Sequence, residues 1–489
     1  MKRLLVVVAI VAAGCASEKA VDTSPEPRGL TLAYFTGVVD PAARTVTLRS
    51  EPTLAAQVIR AGPLVIPSPG EVTVTSSGEW FDLTPTDRGC GEIPTWGAEV
   101  TVTSQLDPTW LSGVYAEITD MGGVTGDEAC NPVPAPAGMS NDYGLWSYGA
   151  LKPWAPDVTQ TWIFNLTTTA SFTFHGRIVA AKVDDLSVAS PPSGLAIATI
   201  DGDVVYYGAG TSDFRLFRVN SSGTLVATSA RALPDTALSI ATTPAKWFWY
   251  VTGAADGKNH VGYFDANLTG GADVRLTDFG SNTDIQIVAD PGNSDRAWFV
   301  TSASQYLGWI AAGSPPSVQS YYLWMGRPSG LAIGPGFEAA LSTIYVTFPD
   351  DKLISMHLSS DPSTWGAVGT VTVPGCEGPN QIVLGPDGNM YYVTSDSRYI
   401  CKVDTTTSDA SKVSTTLAAW LCPGVDGAVW YVAASPTDAL GRFTPVANPT
   451  VESEIWEILT PGTPHQCASG GGYMWAVDST NSLLMRVQP

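Results

Sequence analysis

Seven polar side chains fall in the segments that lead into short apolar stretches of the second half of the chain: Asp235, Asp284, Arg327, Glu377, Asn380, Asp426 and His465. Carboxylates, an amide, a guanidinium and an imidazole offer a general acid or base, oxygen ligands for a cation, or hydrogen bonds to a polar ligand. All seven are therefore candidate binding residues, and His465 is the candidate for catalysis. The chain has 4 histidines. His175 alternates with Phe172 and Phe174 and so points away from them, and His260 and His357 lie in or beside strands; these three read as surface or packing residues. No G-x-S-x-G, H-E-x-x-H or phosphate-binding loop occurs.

These residues are positioned by a repeat. An aromatic strand recurs as VVYYG, WFWYVT, AWFVT, TIYVTF, MYYVTS, VWYVAA and MWAVD. Aligned at Tyr206, Trp249, Trp298, Ile344, Tyr391, Trp430 and Trp475, the copies are spaced 43, 49, 46, 47, 39 and 45 residues apart. An apolar-x-apolar strand precedes each, as in PSGLAI at Pro192 and Pro328 and PNQIVL at Pro379, with degenerate versions around Pro423 and Pro464. A third strand follows, such as FRLFRVN or RYICKVD, and a fourth, such as VRLTDF. Four short strands per unit is the pattern of a β-propeller blade, and seven units predict a seven-bladed ring. Asp201-Gly202 and Asp387-Gly388 suit tight hairpin turns between first and second strands. The last copy ends after its third strand, and AAKVDDL (180–186) stands where a fourth would be needed, so this segment is expected to close the ring.

Residues 30–179 show strands without the repeat, among them RTVTLRS, AEVTVTSQL and ASFTFHG, and read as a β-sandwich of immunoglobulin-like type. The fold class expected is thus all-β: an N-terminal immunoglobulin-like β-sandwich, then a seven-bladed β-propeller over 180–489.

The first residues read as an address. Lys2 and Arg3 precede an apolar run from Leu4 to Ala13, too short to span a bilayer. Residues 1–14 are therefore a signal peptide. The ending Ala12-Ala13-Gly14-Cys15 resembles a bacterial lipobox, which implies lipidation of Cys15 and anchoring on a membrane; the other reading is a plain secretory signal. Ala16, in place of Asp, points to the outer membrane, and the polar stretch 15–29 serves as a tether.

Of 7 cysteines, six remain beyond Cys15: Cys90, Cys130, Cys376, Cys401, Cys422 and Cys467. An even number in an exported chain suggests disulfides. The expected pairs are Cys90–Cys130, Cys376–Cys401 and Cys422–Cys467, although the last four cysteines allow three connectivities. Their wide spacing lacks the close pairs of zinc sites.

The stretch GPDGNMYYVTSDSRYICKVD, Gly385 to Asp404, resembles the blade motif of the virginiamycin B (streptogramin) lyase family and, more broadly, of NHL-type propellers. The likeness runs from Pro191 to the end of the chain. It implies a propeller whose channel mouth holds Mg²⁺, a Glu-x-His pair and a further histidine that together eliminate across a carbon–oxygen bond. Thr463-Pro464-His465 matches the proline and the histidine, with Thr463 in place of the acid, and Asn380 follows Pro379 where the further histidine would stand.

The net charge of −21 excludes a general nucleic-acid binder. The leading expectation is a monomeric, lipid-anchored surface protein with no cofactor, whose propeller loops bind a protein or a glycan. The alternative is a metal-dependent lyase-like enzyme using Mg²⁺ around His465, Glu377 and Asp426. Tyr321, Tyr322 and Trp324 form either an aromatic platform for a sugar or part of the core.

Overall fold

The computed structural model describes residues 30–51, 72–82, 94–104 and 110–488, apart from short stretches within the last range, the longest being 277–284, 358–367 and 446–455. The signal segment, the tether and Cys15 lie outside the described residues. Every regular element described is a strand.

Eight strands form the N-terminal part: β1 (Leu30–Asp40), β2 (Thr45–Glu51), β3 (Val72–Asp82), β4 (Thr95–Ser104), β5 (Trp110–Asp120), β6 (Leu145–Leu151), β7 (Val158–Asn165) and β8 (Phe172–Leu186). One sheet runs β2-β1-β8-β5-β6 and the other β3-β4-β7. Their facing side chains share one core. Trp96 stacks on Phe164 at 4.3 Å and Trp146 on Trp162 at 4.3 Å, with Phe35, Ile118 and Phe174 around them. Phe172 and Phe174 are buried while His175 is exposed, as the alternation predicts.

The rest of the chain builds six consecutive four-stranded antiparallel meanders. They are β9–β12 (Pro192–Ile200, Asp203–Ala209, Phe214–Val219, Leu225–Thr228), β13–β16 (Ala237–Thr243, Trp247–Thr252, His260–Asp265, Gly271–Arg275) and β17–β20 (Ile285–Ala289, Arg296–Thr301, Tyr306–Ala311, Ser317–Tyr322). After them come β21–β24 (Gly330–Pro335, Ser342–Phe348, Leu353–His357, Val368–Thr372), β25–β28 (Pro379–Leu384, Met390–Thr394, Ile400–Val403, Ala410–Ser414) and β29–β32 (Ala418–Pro423, Val429–Ala433, Ala439–Phe443, Trp456–Leu459). Pro423 ends its strand instead of introducing it. The final strands β33 (Gln466–Gly470), β34 (Tyr473–Asp478) and β35 (Leu483–Gln488) are completed by the end of β8, whose residues Lys182–Leu186 pair antiparallel with Leu484–Gln488.

The first strands of successive sheets are neighbours, from β9 beside β13 through to β29 beside β33, and β33 lies beside β9. The cycle is closed. The second strands are buried on both faces, which is why they read as continuous aromatic and β-branched runs. Tyr206, Trp249, Trp298, Ile344, Trp430 and Trp475 are wholly inaccessible to solvent, and Tyr391 almost so.

Turn chemistry follows residue type. Asp201 (φ 50°) and Gly202 (φ 86°) are both left-handed, as a two-residue hairpin turn requires. Gly202 is also packed against Gly471, where a side chain would meet its carbonyl oxygen at 2.7 Å. At the ends of third strands Asn220, Asp265 and Asp404 accept backbone N–H groups two to four residues ahead and so fold the next turn.

β8 crosses the expected boundary at 179/180 without a break, whereas sequence reading divides it there. Its edge partner changes from β1, which ends at the pair Leu30–Ala180, to β35, which begins at Gln488–Lys182, while β5 stays on the opposite edge. Ile178 to Ala181 are buried in succession at this exchange, because both faces are covered there.

Cys376–Cys401 and Cys422–Cys467 are disulfides, as expected. The second joins β29 to β33 and so links neighbouring sheets. Cys130 is also disulfide-bonded; Cys90 lies outside the described residues.

Candidate functional site

The candidate residues are distributed around the ring, about one per sheet, at the end where each first strand begins. Asp235 precedes β13, Arg327 precedes β21, Glu377 precedes β25, Asn380 lies within β25, and His465 precedes β33. Asp284 and Asp426 lie outside the described residues.

Asp235 is half-buried, and its Oδ1 accepts the Thr236 N–H at 2.6 Å. Burial pushes the neighbouring Tyr207 phenol up to about 12, and the Asp235 charge pushes it the same way. Opposite it stands Gly253, where a Cβ would come within 2.7 Å of Asp235 Oδ2. Arg327 and Glu377 are exposed. Asn380 is half-buried, and its backbone carbonyl accepts the Thr347 hydroxyl.

His465 has one carboxylate nearby. Its Nδ1 is 4.0 Å from Oδ1 of Asp478, beyond hydrogen-bond reach, and that buried nitrogen has no hydrogen-bond partner among the described residues. Asp478 is completely buried. Its Oδ1 accepts the N–H groups of Thr480 (2.9 Å) and Asn481 (3.0 Å), and its Oδ2 accepts the Thr463 N–H (2.9 Å) and the Asn481 side-chain amide (2.6 Å). The carboxylate thus fastens the 463–465 segment to the turn after β34, and its lone pairs are spent on that task.

Sequence reasoning missed Asp478, although a signal exists. At or next to their ends the second strands carry Val251-Thr252, Val300-Thr301, Val346-Thr347 and Val393-Thr394, and the last carries Val477-Asp478. Those four threonines are buried, so Asp478 is the one charged group at a position otherwise held by threonine or alanine.

A second set was also missed. Gln286 Oε1 accepts the Leu331 N–H of the next sheet at 2.8 Å. Gln381 does more: its Oε1 accepts the Leu421 N–H at 2.9 Å and its Nε2 donates to the Leu421 carbonyl at 3.1 Å. Gln466 donates to Leu238 O at 3.2 Å, and Ser239 Oγ accepts the Ile287 N–H at 3.2 Å. Gln286, Gln381 and Ser239 hold adjacent first strands together where adjoining sheets share no ladder, and Gln466 reaches from β33 past β9 to β13.

Mg²⁺ favours an octahedral set of oxygen ligands. The described residues do not supply one: no three His, Cys, Asp or Glu side chains among them gather as a metal site, and Asp478 is already saturated.

No family model matches the chain, and no curated protein matches it by sequence. Solved structures do. A catalytically inactive virginiamycin B lyase from Staphylococcus aureus with quinupristin aligns at TM-score 0.50 and 16% identity, covering 63% of this chain and 99% of that one. The selenomethionine-substituted lyase from the same organism aligns at 0.49 and 16%, with the same coverage. The WD40 β-propeller domain of Doa1 aligns at 0.43 and 12%, covering 62% of this chain and 95% of that one. The likeness is one of fold alone, and this chain is all-β.

Proposed function

We propose that the chain is an exported, lipid-anchored binding scaffold. Residues 1–14 direct export, Cys15 carries the anchor, 15–29 tether it, an immunoglobulin-like sandwich follows, and a seven-bladed propeller presents its loops to a protein or glycan without catalysis. One observation carries this reading. The candidate side chains among the described residues are spread over four sheets, and the acid beside His465 is committed to backbone N–H groups. The two disulfides support a location outside a reducing cytosol.

The test uses residues 16–489. Thermal midpoints with EDTA, Mg²⁺ and Ca²⁺ are expected to coincide, because a cation that binds only the folded state would raise the midpoint by mass action. In cells, Cys15→Ser is expected to release the protein from the membrane fraction; retention of the variant would remove the anchor from the proposal.

A lyase-like reading is favoured by one feature, the unpartnered His465 Nδ1 facing a buried carboxylate. Opening of a streptogramin B ring by the wild-type protein, abolished in His465→Ala, would establish it.

A further inference from the structure

Most of the sheet β17–β20 lies in a long uncharged stretch of the chain. From Ala297 to Gly326 the chain runs 30 residues without one Asp, Glu, Lys or Arg, in a protein where 15% of residues are charged. This run includes the outer hairpin β19–β20, and β20 is the free edge of its sheet. Exposed edges are ordinarily protected by charge, and this one is not.

At the end of that hairpin stands Tyr322, the most exposed of the large hydrophobic side chains described, at 58%. Its ring is nonetheless braced. Tyr306, its cross-strand partner, packs edge-on against it with centroids 5.5 Å apart at 71°. The Tyr322 hydroxyl donates to Gln305 Oε1 at 2.8 Å. Gln305 sits at φ 59°, a left-handed conformation that non-glycine residues seldom adopt. With Oε1 engaged, the Gln305 amide keeps two N–H donors that make no hydrogen bond among the described residues. Tyr321 lies on the opposite face, opposite Leu307, with its hydroxyl on Gln319. It does not share the surface, and Trp324 lies outside the described residues. The exposed pair is therefore Tyr322 with Tyr306, where the sequence offered Tyr321, Tyr322 and Trp324 as either a platform or part of the core.

We propose that Tyr322, Tyr306 and Gln305 form a binding site for a neutral glycan on the outer edge of this sheet. The proposal rests on the scaffold reading above and names its ligand class and place. A held, solvent-facing aromatic ring receives the C–H face of a pyranose, and the amide donates to a ring hydroxyl. The absence of charge over the whole hairpin excludes recognition of phosphate, sulfate or uronate. A peptide strand added to the edge would read the β20 backbone and leave the braced ring without a role.

Native gels containing xyloglucan, galactomannan, starch or mixed-linkage glucan, with polygalacturonate as acidic control, test this on residues 16–489. At least one neutral polymer is expected to retard the protein, and polygalacturonate is not. Tyr322→Ala is expected to weaken that binding about tenfold or more, Tyr322→Trp to retain it, and Gln305→Ala to weaken it less. Tyr322 is exposed, so an unchanged thermal midpoint checks that its variants fold. Retardation by no neutral polymer overturns the proposal and leaves a protein-binding scaffold standing. Retardation unchanged in Tyr322→Ala overturns the site while a glycan-binding scaffold survives.

Discussion

At the scale of the residue, the polar groups that hold this ring matter because the backbone groups they meet, at Leu421, Leu331 and Ile287, are buried. Gln381 is 4% exposed and satisfies both the N–H and the carbonyl of Leu421. In Gln381→Leu two buried backbone groups lose their partner, and each such loss costs about 1–3 kcal/mol. A calorimetric midpoint well below wild type is expected, with a smaller drop for Gln286→Leu, which breaks one bond; equal midpoints would mean that water replaces the amide. Asp387 carries a pH-dependent share of stability. Burial pushes its carboxyl up, but the donors of Asn389, Tyr391 and Lys402 outweigh burial and hold it below the usual range. Its folded value lies under its unfolded one, so its stabilisation is complete above the ordinary carboxylate range and is lost as pH falls through the folded value. The midpoint gap between wild type and Asp387→Asn is expected to be largest near neutral pH and to narrow toward about pH 3. A gap that widens in acid would contradict this. Such residues were hardly legible beforehand. Gln381 is read as an ordinary polar position in a strand, because its partner is the backbone of a residue 40 positions away. Tyr306 went unnoticed as the partner of Tyr322 because cross-strand register is invisible in one sequence.

At the scale of the element, the second strands were legible because burial on both faces leaves only apolar and aromatic residues along them, as in WFWYVT and MYYVT. The double use of β8 was not. Val179, Ala180, Ala181 and Val183 are wholly buried, but Ile178 and Ala180 belong to the N-terminal core while Ala181 and Val183 belong to the core of the last sheet. Nothing in a run of small apolar residues says which core each joins. The consequence is a dependence between the two halves. A fragment of residues 187–489 leaves the β35 edge unpaired and is expected to aggregate or lose its near-ultraviolet circular dichroism. A fragment of 180–489 retains the pairs from Lys182–Gln488 to Leu186–Leu484 and is expected to fold, with a lower midpoint than the longer chain. If 187–489 folds as well as 180–489, the pairing does not close the ring.

At the scale of the whole molecule, the last sheet is tied in twice by different means. The backbone ladder between β8 and β35 ties the last sheet to the N-terminal half, and Cys422–Cys467 ties that sheet to the one before it. The first strands themselves form no ladder with one another and are held by glutamine, serine and threonine side chains, including Thr199 on Ser469 O and Thr242 on Thr199 O at 2.9 Å. A covalent bond at this place acts on the unfolded chain more than on the folded one. It closes a loop with a sequence separation of 45 residues, and the lost chain entropy corresponds to about 4 kcal/mol at most. Cys422→Ser with Cys467→Ser is therefore expected to lower the calorimetric midpoint of the oxidised protein. Cys376→Ser with Cys401→Ser, which opens a loop of separation 25 within the preceding sheet and its leading turn, is expected to lower it somewhat less. Reductant should bring wild type down by at least the larger of these shifts and should leave the Cys422/Cys467 variant less affected than wild type. A reductant effect of equal size in both would show that the bond between sheets does not constrain the chain, and that the ring is held by its ladder and its polar clamps alone.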